Sequence, residues 1–248
     1  MIFTDDCLII AHRGASAFAP ENTVSAFRKA VELKADAIEF DVKLTIDGKM
    51  VIIHDQLLDR TTNGSGRVID CTYEELNRLD AGSFFSEEFK GEKIPLLQDV
   101  LEQFSDLLLI NIEITNYKSA NDGLAEKIAN LVKVMGVEKR VFFSSFMPKN
   151  LKITSEILPD VPAALLTLPG LPGLLTRSRL FFNRSPQLIH PYFKDINAAY
   201  VKKQHVLGRK VNVWTVNKKE DIQEMIHFGV DGLITDDPVL ARNLLEDK

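Results

Sequence analysis

Eight short apolar runs recur along the 248-residue chain: CLIIA, AIEFDV, LLLINIEI, VFFSSF, PAALLT, LIHP, VNVWTV and DGLITD. Most are separated by stretches whose apolar residues recur at helical spacing. This rhythm constrains the fold more than any other feature, because strands that alternate with helices build a parallel sheet. Helical spacing runs over 23–33, 120–135 with Gly136 as a stop, 148–158, 219–228 with Gly229 as a stop, and 238–245. Eight such units in about 250 residues predict an α/β fold of (β/α)8 barrel type, with its active site at the C-terminal ends of the strands. An open doubly wound sheet is the competing architecture, but no glycine-rich fingerprint follows the first run, as a dinucleotide-binding version requires. The sequence has no internal repeat, low-complexity segment or linker, so one domain over 1–248 is expected.

Several function classes fall away at once. A formal net charge of −5 argues against wrapping nucleic acid, which needs clustered Lys and Arg against phosphates. Two cysteines, Cys7 and Cys71, are too few for a disulfide framework and lack zinc-site spacing, so the reducing cytosol is the expected setting. The start, MIFTDDCLII, carries acids where a secretory signal carries positive charge, and no apolar run approaches the roughly 18 residues of a spanning helix. The most apolar segment, VPAALLTLPGLPGLL, reads through its Pro and Gly as a strand followed by a loop. Its leucines, if exposed, could touch lipid or an apolar substrate.

One segment breaks the alternation. Between AIEFDV and the helix-like LLQDVLEQF lies an insertion over 44–95, opened by the hairpin signature KLTIDGKMVIIHD. If Asp47-Gly48 form a two-residue turn, Ile46 faces Lys49, and counting outward sets His54 opposite Asp41.

The strand ends carry the chemistry. Alternation puts Glu39 and Asp41 on one face of AIEFDV, while Ile38, Phe40 and Val42 point toward the helices. In LLLINIEI the same count sends Asn111 and Glu113 inward, so a third carboxylate arrives from another strand. Three converging carboxylates repel strongly unless a cation neutralises them. Hard oxygen ligands suit one divalent cation, Mg²⁺, Ca²⁺ or Mn²⁺, rather than zinc. LIIAHR delivers His12 to the same rim and the hairpin delivers His54. Two imidazoles beside such an ion suit phosphodiester cleavage, one removing a proton and the other giving one to the leaving alkoxide.

The same residues carry a resemblance. AHRGASAFAPENTVSAF, ADAIEFDVKLTIDGKMVIIHD, LDRTTNGSGRV, LNRLDAGSFF, IPLLQDVLE, INIEI, SSF, VNVWTVN and GLITDDP, in order from about residue 8 to residue 240, resemble the glycerophosphodiester phosphodiesterase family. The resemblance implies a barrel with a small insertion after the second strand, one bound divalent cation, and hydrolysis of a glycerophosphodiester to glycerol 3-phosphate and an alcohol. It implies that Glu39, Asp41 and Glu113 hold the metal, that His12 and His54 are the acid-base pair, that Arg13 contacts phosphate, and that Glu21 is a secondary site residue. It also implies attack on phosphorus by a neighbouring hydroxyl of the substrate before water completes the reaction. One departure stands out: many relatives read Ile-Glu-Ile-Lys where this chain has Ile112-Glu113-Ile114-Thr115, and Lys118 lies three residues further on.

Plainer readings stand beside these. Arg13 could simply pair with a carboxylate, and Trp214 is divided between barrel packing and a platform for the glycerol end of the substrate. His190 could line the pocket, whereas His205 and His227 sit in polar helical stretches at the surface. Asp236 and Asp237 read as organisers of the last loop and cap of the last helix. The expected partner is a small glycerophosphodiester, with no nucleic acid and no stable membrane insertion; the sequence leaves oligomeric state open. Two other activities remain: a lysophospholipase D-type phosphodiesterase that accepts an acyl chain, and a catalytically silent phosphodiester-binding barrel.

Overall fold

The strand-helix alternation closes into a ring in the computed structural model, which describes residues 6–246 except 118, 120, 178–182, 184 and 186. Eight parallel strands form the ring: β1 (Leu8–His12), β2 (Ala37–Leu44), β4 (Leu109–Ile114), β5 (Val141–Ser145), β6 (Ala163–Thr167), β7 (Leu188–Pro191), β8 (Lys210–Val213) and β9 (Gly232–Thr235). Closure comes where Leu8 to Ala11 pair with Gly232 to Thr235 on one side and Ile10 to His12 pair with Ala37 to Glu39 on the other. β3 (Met50–Ile52) lies outside the ring, antiparallel to β2. The fold is therefore a (β/α)8 barrel.

Helices α1 (Val24–Glu32), α3 (Leu97–Phe104) and α4 (Leu124–Met135) cover one side. Ile38, Phe40, Val42, Ile110, Ile112 and Ile114 point outward into Phe27, Leu97, Val100, Leu101, Leu124 and Ile128 of these helices. Helices α5 (Pro148–Ile157), α7 (Ala198–Val206), α8 (Lys219–Phe228) and α9 (Pro238–Glu246) complete the coat. Thr23 caps α1 by accepting from the Ala26 amide at 3.3 Å. Inside the ring, Leu8, Ile10, Ala37, Phe142, Ala164, Leu188 and Ile234 make an apolar plug toward the strands' N-terminal ends. Burial of this kind leaves the opposite rim for polar groups.

The insertion after β2 carries α2 (Tyr73–Asn77) and a small core of its own, in which Val51, Ile53, Leu58, Val68, Leu76, Ala81 and Ile94 pack together. The expected hairpin register is displaced by one residue. Leu44 pairs with Met50, Thr45 accepts and donates at Lys49, and the Ile53 amide bonds to the Asp41 carbonyl, so Ile53 rather than His54 lies opposite Asp41. A three-residue turn over Ile46, Asp47 and Gly48 replaces the two-residue one, with Gly48 at φ +74° in the left-handed position that such turns require. His54 still reaches the rim, because β3 ends at Ile52 and the chain bends there.

Two helical expectations also shift. The fourth helix starts at Leu124; position 120, where it was expected to begin, lies outside the described residues. The loop expected after PAALLT contains a short helix, α6 (Leu171–Thr176). Pro172 is compatible with it because a first-turn residue needs no amide partner. Gly173 is required, since a Cβ there would sit 1.8 Å from the Leu168 carbonyl oxygen.

Candidate active site

Cross-strand register assembles the carboxylates. Asp41 lies opposite Glu113 and Glu39 opposite both His12 and Asn111, so the inward residues of β1, β2 and β4 meet at one sector of the rim. Glu39, Asp41 and Glu113 each place a carboxylate oxygen within 4.8 Å of the others. Burial raises the Glu39 pKa well above the usual range, and the charges of Asp41 and Glu113 add to the effect. Glu113 is pushed up to about 8 by burial and by Asp41, against the hydrogen bond it accepts from the Tyr117 hydroxyl. Burial would raise Asp41 as well, but Arg13, His54, Asn22 and His12 outweigh it and hold that carboxyl below its ordinary value. Two buried acids and the half-buried Glu113 under mutual repulsion are a donor set that fits a hard divalent cation.

Arg13 reaches into this cluster from a strained backbone. Its φ of +56° and that of Asn22, +59°, fall in the left-handed region that few non-glycine residues occupy. The strain has a visible use. The Arg13 amide donates to Glu39 Oε2 at 3.1 Å and its Nε lies 3.4 Å from Asp41 Oδ2, while Asn22 Nδ2 donates to that same oxygen at 3.0 Å. Arg13 thus pairs with a carboxylate, as the plainer reading held, and remains at the site.

Each histidine has its own carboxylate. His12 Nδ1 bonds to Asp236 Oδ1 at 2.6 Å, and Asp236 is in turn held by Ser16 Oγ at 3.1 Å and Asn217 Nδ2 at 2.5 Å. With Nδ1 assigned as the donor in this network, Nε2 is left for chemistry. His54 Nδ1 bonds to Asp55 Oδ1 at 2.7 Å, and the Arg60 Nε donates to Asp55 Oδ2 at 2.7 Å. The Arg60 hydrogen bond draws Asp55 down to about 2. Both imidazoles lie near enough to Asp41 for their charge to act on it.

Glu21 joins the two halves of the rim. It accepts from Arg13 Nη1 at 2.7 Å and from Arg60 at 2.7 and 2.8 Å. An alternating series of charges therefore runs from His54 through Asp55, Arg60, Glu21 and Arg13 to Asp41.

Trp214 stands across the rim in a wall of rings. Its Nε1 donates to the His190 carbonyl at 2.8 Å, Phe146 meets it edge to face at 5.5 Å, and Tyr192 lies at 5.6 Å. Tyr117, at 5.7 Å from Phe146, ends the wall beside Glu113. His190 does not line the pocket: it is fully buried inside the barrel. His205 is a surface residue on Asp231, and His227 is exposed. Asp237 caps α9 through the Leu240 amide at 2.9 Å, whereas Asp236 serves His12.

The residues that sequence reasoning missed are Asp236 as the partner of His12, Asp55, Arg60, Asn22, Tyr117 and Lys43. For Lys43 a signal existed, since 39, 41 and 43 share one face of a strand. Lys118 lies outside the described residues.

A barrel with paired histidines and a carboxylate triad at its rim defines a phosphodiesterase class of hydrolase. The profile of the glycerophosphoryl diester phosphodiesterase family matches residues 12–240, and the chain belongs to that family. A glycerophosphodiester phosphodiesterase from Caldanaerobacter subterraneus subsp. tengcongensis is 43% identical over 239 residues, 96% of this chain and 97% of that one. Among solved structures, an Oleispira antarctica phosphodiesterase in complex with the product sn-glycerol-3-phosphate superposes with a TM-score of 0.86 at 26% identity, covering 96% of each chain. A glycerophosphodiester phosphodiesterase from Thermotoga maritima gives 0.75 at 29% identity, covering 96% of this chain and 98% of that one.

Proposed function

We propose that this protein hydrolyses glycerophosphodiesters to glycerol 3-phosphate and an alcohol in a reaction that depends on one divalent cation. The observation that carries the reading is the pair of histidines, each oriented by its own carboxylate, beside three clustered acids at the C-terminal rim. A module that only bound a phosphodiester has no use for two aimed imidazoles. The product complex of the Oleispira protein, on the same fold, supports it.

Glu39, Asp41 and Glu113 hold the cation, Mg²⁺, Ca²⁺ or Mn²⁺. When bound, it neutralises charge on the phosphate oxygens. Arg13 contacts the phosphate from the side of Asp41. One imidazole takes the proton of the substrate's attacking hydroxyl as it bonds to phosphorus, and the other protonates the alkoxide as its bond to phosphorus breaks; water then adds to the cyclic diester with the two roles exchanged, which reopens the ring and gives glycerol 3-phosphate. Asp236 and Asp55 fix the ring that each addresses. Trp214 offers an apolar face to the glycerol end, and Glu21 keeps Arg13 and the insertion in place. The proposed setting is the reducing cytosol, where a thiol such as that of Cys71 stays reduced.

A second reading rests on Leu168, Leu171, Leu174 and Leu175, all exposed on and beside α6. Such a surface suits the acyl chain of a lysophospholipid. The test is release of glycerol 3-phosphate from glycerophosphocholine and glycerophosphoethanolamine, first without metal and then with each cation restored. Metal-dependent release that His12→Ala and His54→Ala both abolish, with folding intact, is expected. Silence on these substrates with turnover of lysophosphatidylcholine would establish the second reading instead.

A further inference from the structure

The carboxylates have a cationic layer above them. β2 and β4 run in register from Ala37 opposite Leu109 to Val42 opposite Ile114. One step on, the Thr115 amide donates to the Val42 carbonyl at 3.3 Å, which brings Thr115 opposite Lys43. Side chains alternate along strands, so Lys43 and Thr115 form the inward layer that follows Asp41 and Glu113, about 6–7 Å nearer the rim. A phosphodiester that reaches the acids from solvent lies against this layer.

Lys43 is fixed there. Its side chain is buried, with 6% of the residue exposed. Its ammonium donates to the Thr115 carbonyl at 3.1 Å and to Thr115 Oγ1 at 2.9 Å, and that hydroxyl donates to the Val42 carbonyl at 2.8 Å. An ammonium has three donors, and Thr115 takes two. The charges facing it come from Asp41, Glu113, Asp55 and Arg13. Among these groups Arg13 and Lys43 are the cations, so an anion that reaches the acids from solvent has both within the same sector of the rim.

We infer that Lys43 is a phosphate-contacting residue of this site, standing directly across from Thr115, the position where relatives with the Ile-Glu-Ile-Lys pattern carry their lysine. The inference rests on the proposed phosphodiester substrate. The rival role is a brace: two hydrogen bonds that tie the ends of β2 and β4 and touch no ligand. Ligand binding separates the two, because removing a cation near three acids has opposite consequences for an anion and for a metal.

The test compares the full chain with Lys43→Met and with the exchange variant Lys43→Thr/Thr115→Lys, by calorimetric titration of Ca²⁺ and then of glycerol 3-phosphate onto Ca²⁺-loaded protein. In Lys43→Met, glycerol 3-phosphate binding weakens by about tenfold or more, the size of one charge-assisted hydrogen bond, while Ca²⁺ binding is unchanged or tighter. The exchange variant returns glycerol 3-phosphate affinity to within about threefold of the parent. If Lys43→Met binds glycerol 3-phosphate as the parent does, or loses both ligands together with no recovery in the exchange variant, Lys43 is a brace and the inference is wrong. A parent that binds glycerol 3-phosphate yet hydrolyses no glycerophosphodiester refutes the proposed reaction and leaves this comparison intact. A loaded parent that binds no glycerol 3-phosphate overturns both.

Discussion

Acid reaches the stability of this barrel through His190. The ring is fully buried, with Asn212 Nδ2 donating to its Nε2 at 3.1 Å and the Phe142 ring edge-on at 6.1 Å. Burial drives its pKa from 6.5 down to about 3. An unfolded chain takes up this proton near pH 6.5 and the folded chain only near pH 3. Between those values the unfolded state binds more protons, so stability falls as pH falls. Each unit is worth about 1.4 kcal/mol, which gives a loss of about 3 kcal/mol by pH 4.5 and about 5 kcal/mol across the whole window. His190→Gln keeps an acceptor for Asn212 and removes the titration. At pH 7 this variant is less stable than the parent by about 1–2 kcal/mol for the imperfect replacement. Urea unfolding at pH 7, 5.5 and 4.5 measures both proteins, and carboxylate titrations common to the two cancel in the difference. The stability gap should close, and then reverse, as the solution is acidified. Gaps that stay constant across the three pH values would refute the assignment of a buried neutral imidazole.

Three further outcomes are expected. Asp236→Asn leaves His12 without its orienting carboxylate and lowers kcat by about 100- to 10,000-fold in a chain that still folds; kcat within a few-fold of the parent would remove Asp236 from the site. Gly232→Ala places a Cβ 2.5 Å from Asn212 Oδ1 and 2.8 Å from its Cγ, and costs about 1–3 kcal/mol by overpacking. Thermal melting should show that loss, and Asn212→Ser in the same chain should recover most of it. Glu113→Gln withdraws one of three metal donors, so Ca²⁺ should bind more weakly in calorimetry and raise the melting temperature less at a given concentration. A Ca²⁺ titration identical to the parent's would show that Glu113 is no ligand.

Periodicity was enough to place all eight barrel strands, because fully buried parallel strands need apolar runs and each must be followed by a covering element. It also brought Glu39, Asp41 and Glu113 to one face, since strand alternation is a two-residue rule that the barrel obeys. Register inside the hairpin was not legible in the same way. Asp47-Gly48 satisfies both a two-residue and a three-residue turn, and only the Thr45 to Lys49 bonds distinguish them. α6 was hidden because its Pro and Gly also punctuate loops; the helix depends on Gly173 against Leu168, a contact without a sequence signature. Arg60, Asp55 and Glu21 come together because the insertion folds back on the loop after β1, and pairing across 39 residues leaves no period to read. Asp236 sat in plain view beside Asp237, but either could cap a helix, and only the geometry separates the cap from the partner of His12.

The bond between His12 and Asp236 spans 224 positions, from the first strand to the end of the last. Closing a loop of that length is among the most entropically costly steps available to the chain, and contacts so far apart in sequence form late when a fold is slow to assemble. The same pairing of β1 with β9 that closes the ring also aims the imidazole. A nascent or partly denatured chain with seven strands docked therefore carries both histidines and all three acids yet has an unaimed His12. Under the proposed mechanism turnover switches on with the final strand, and activity during refolding then reads the closure of the barrel.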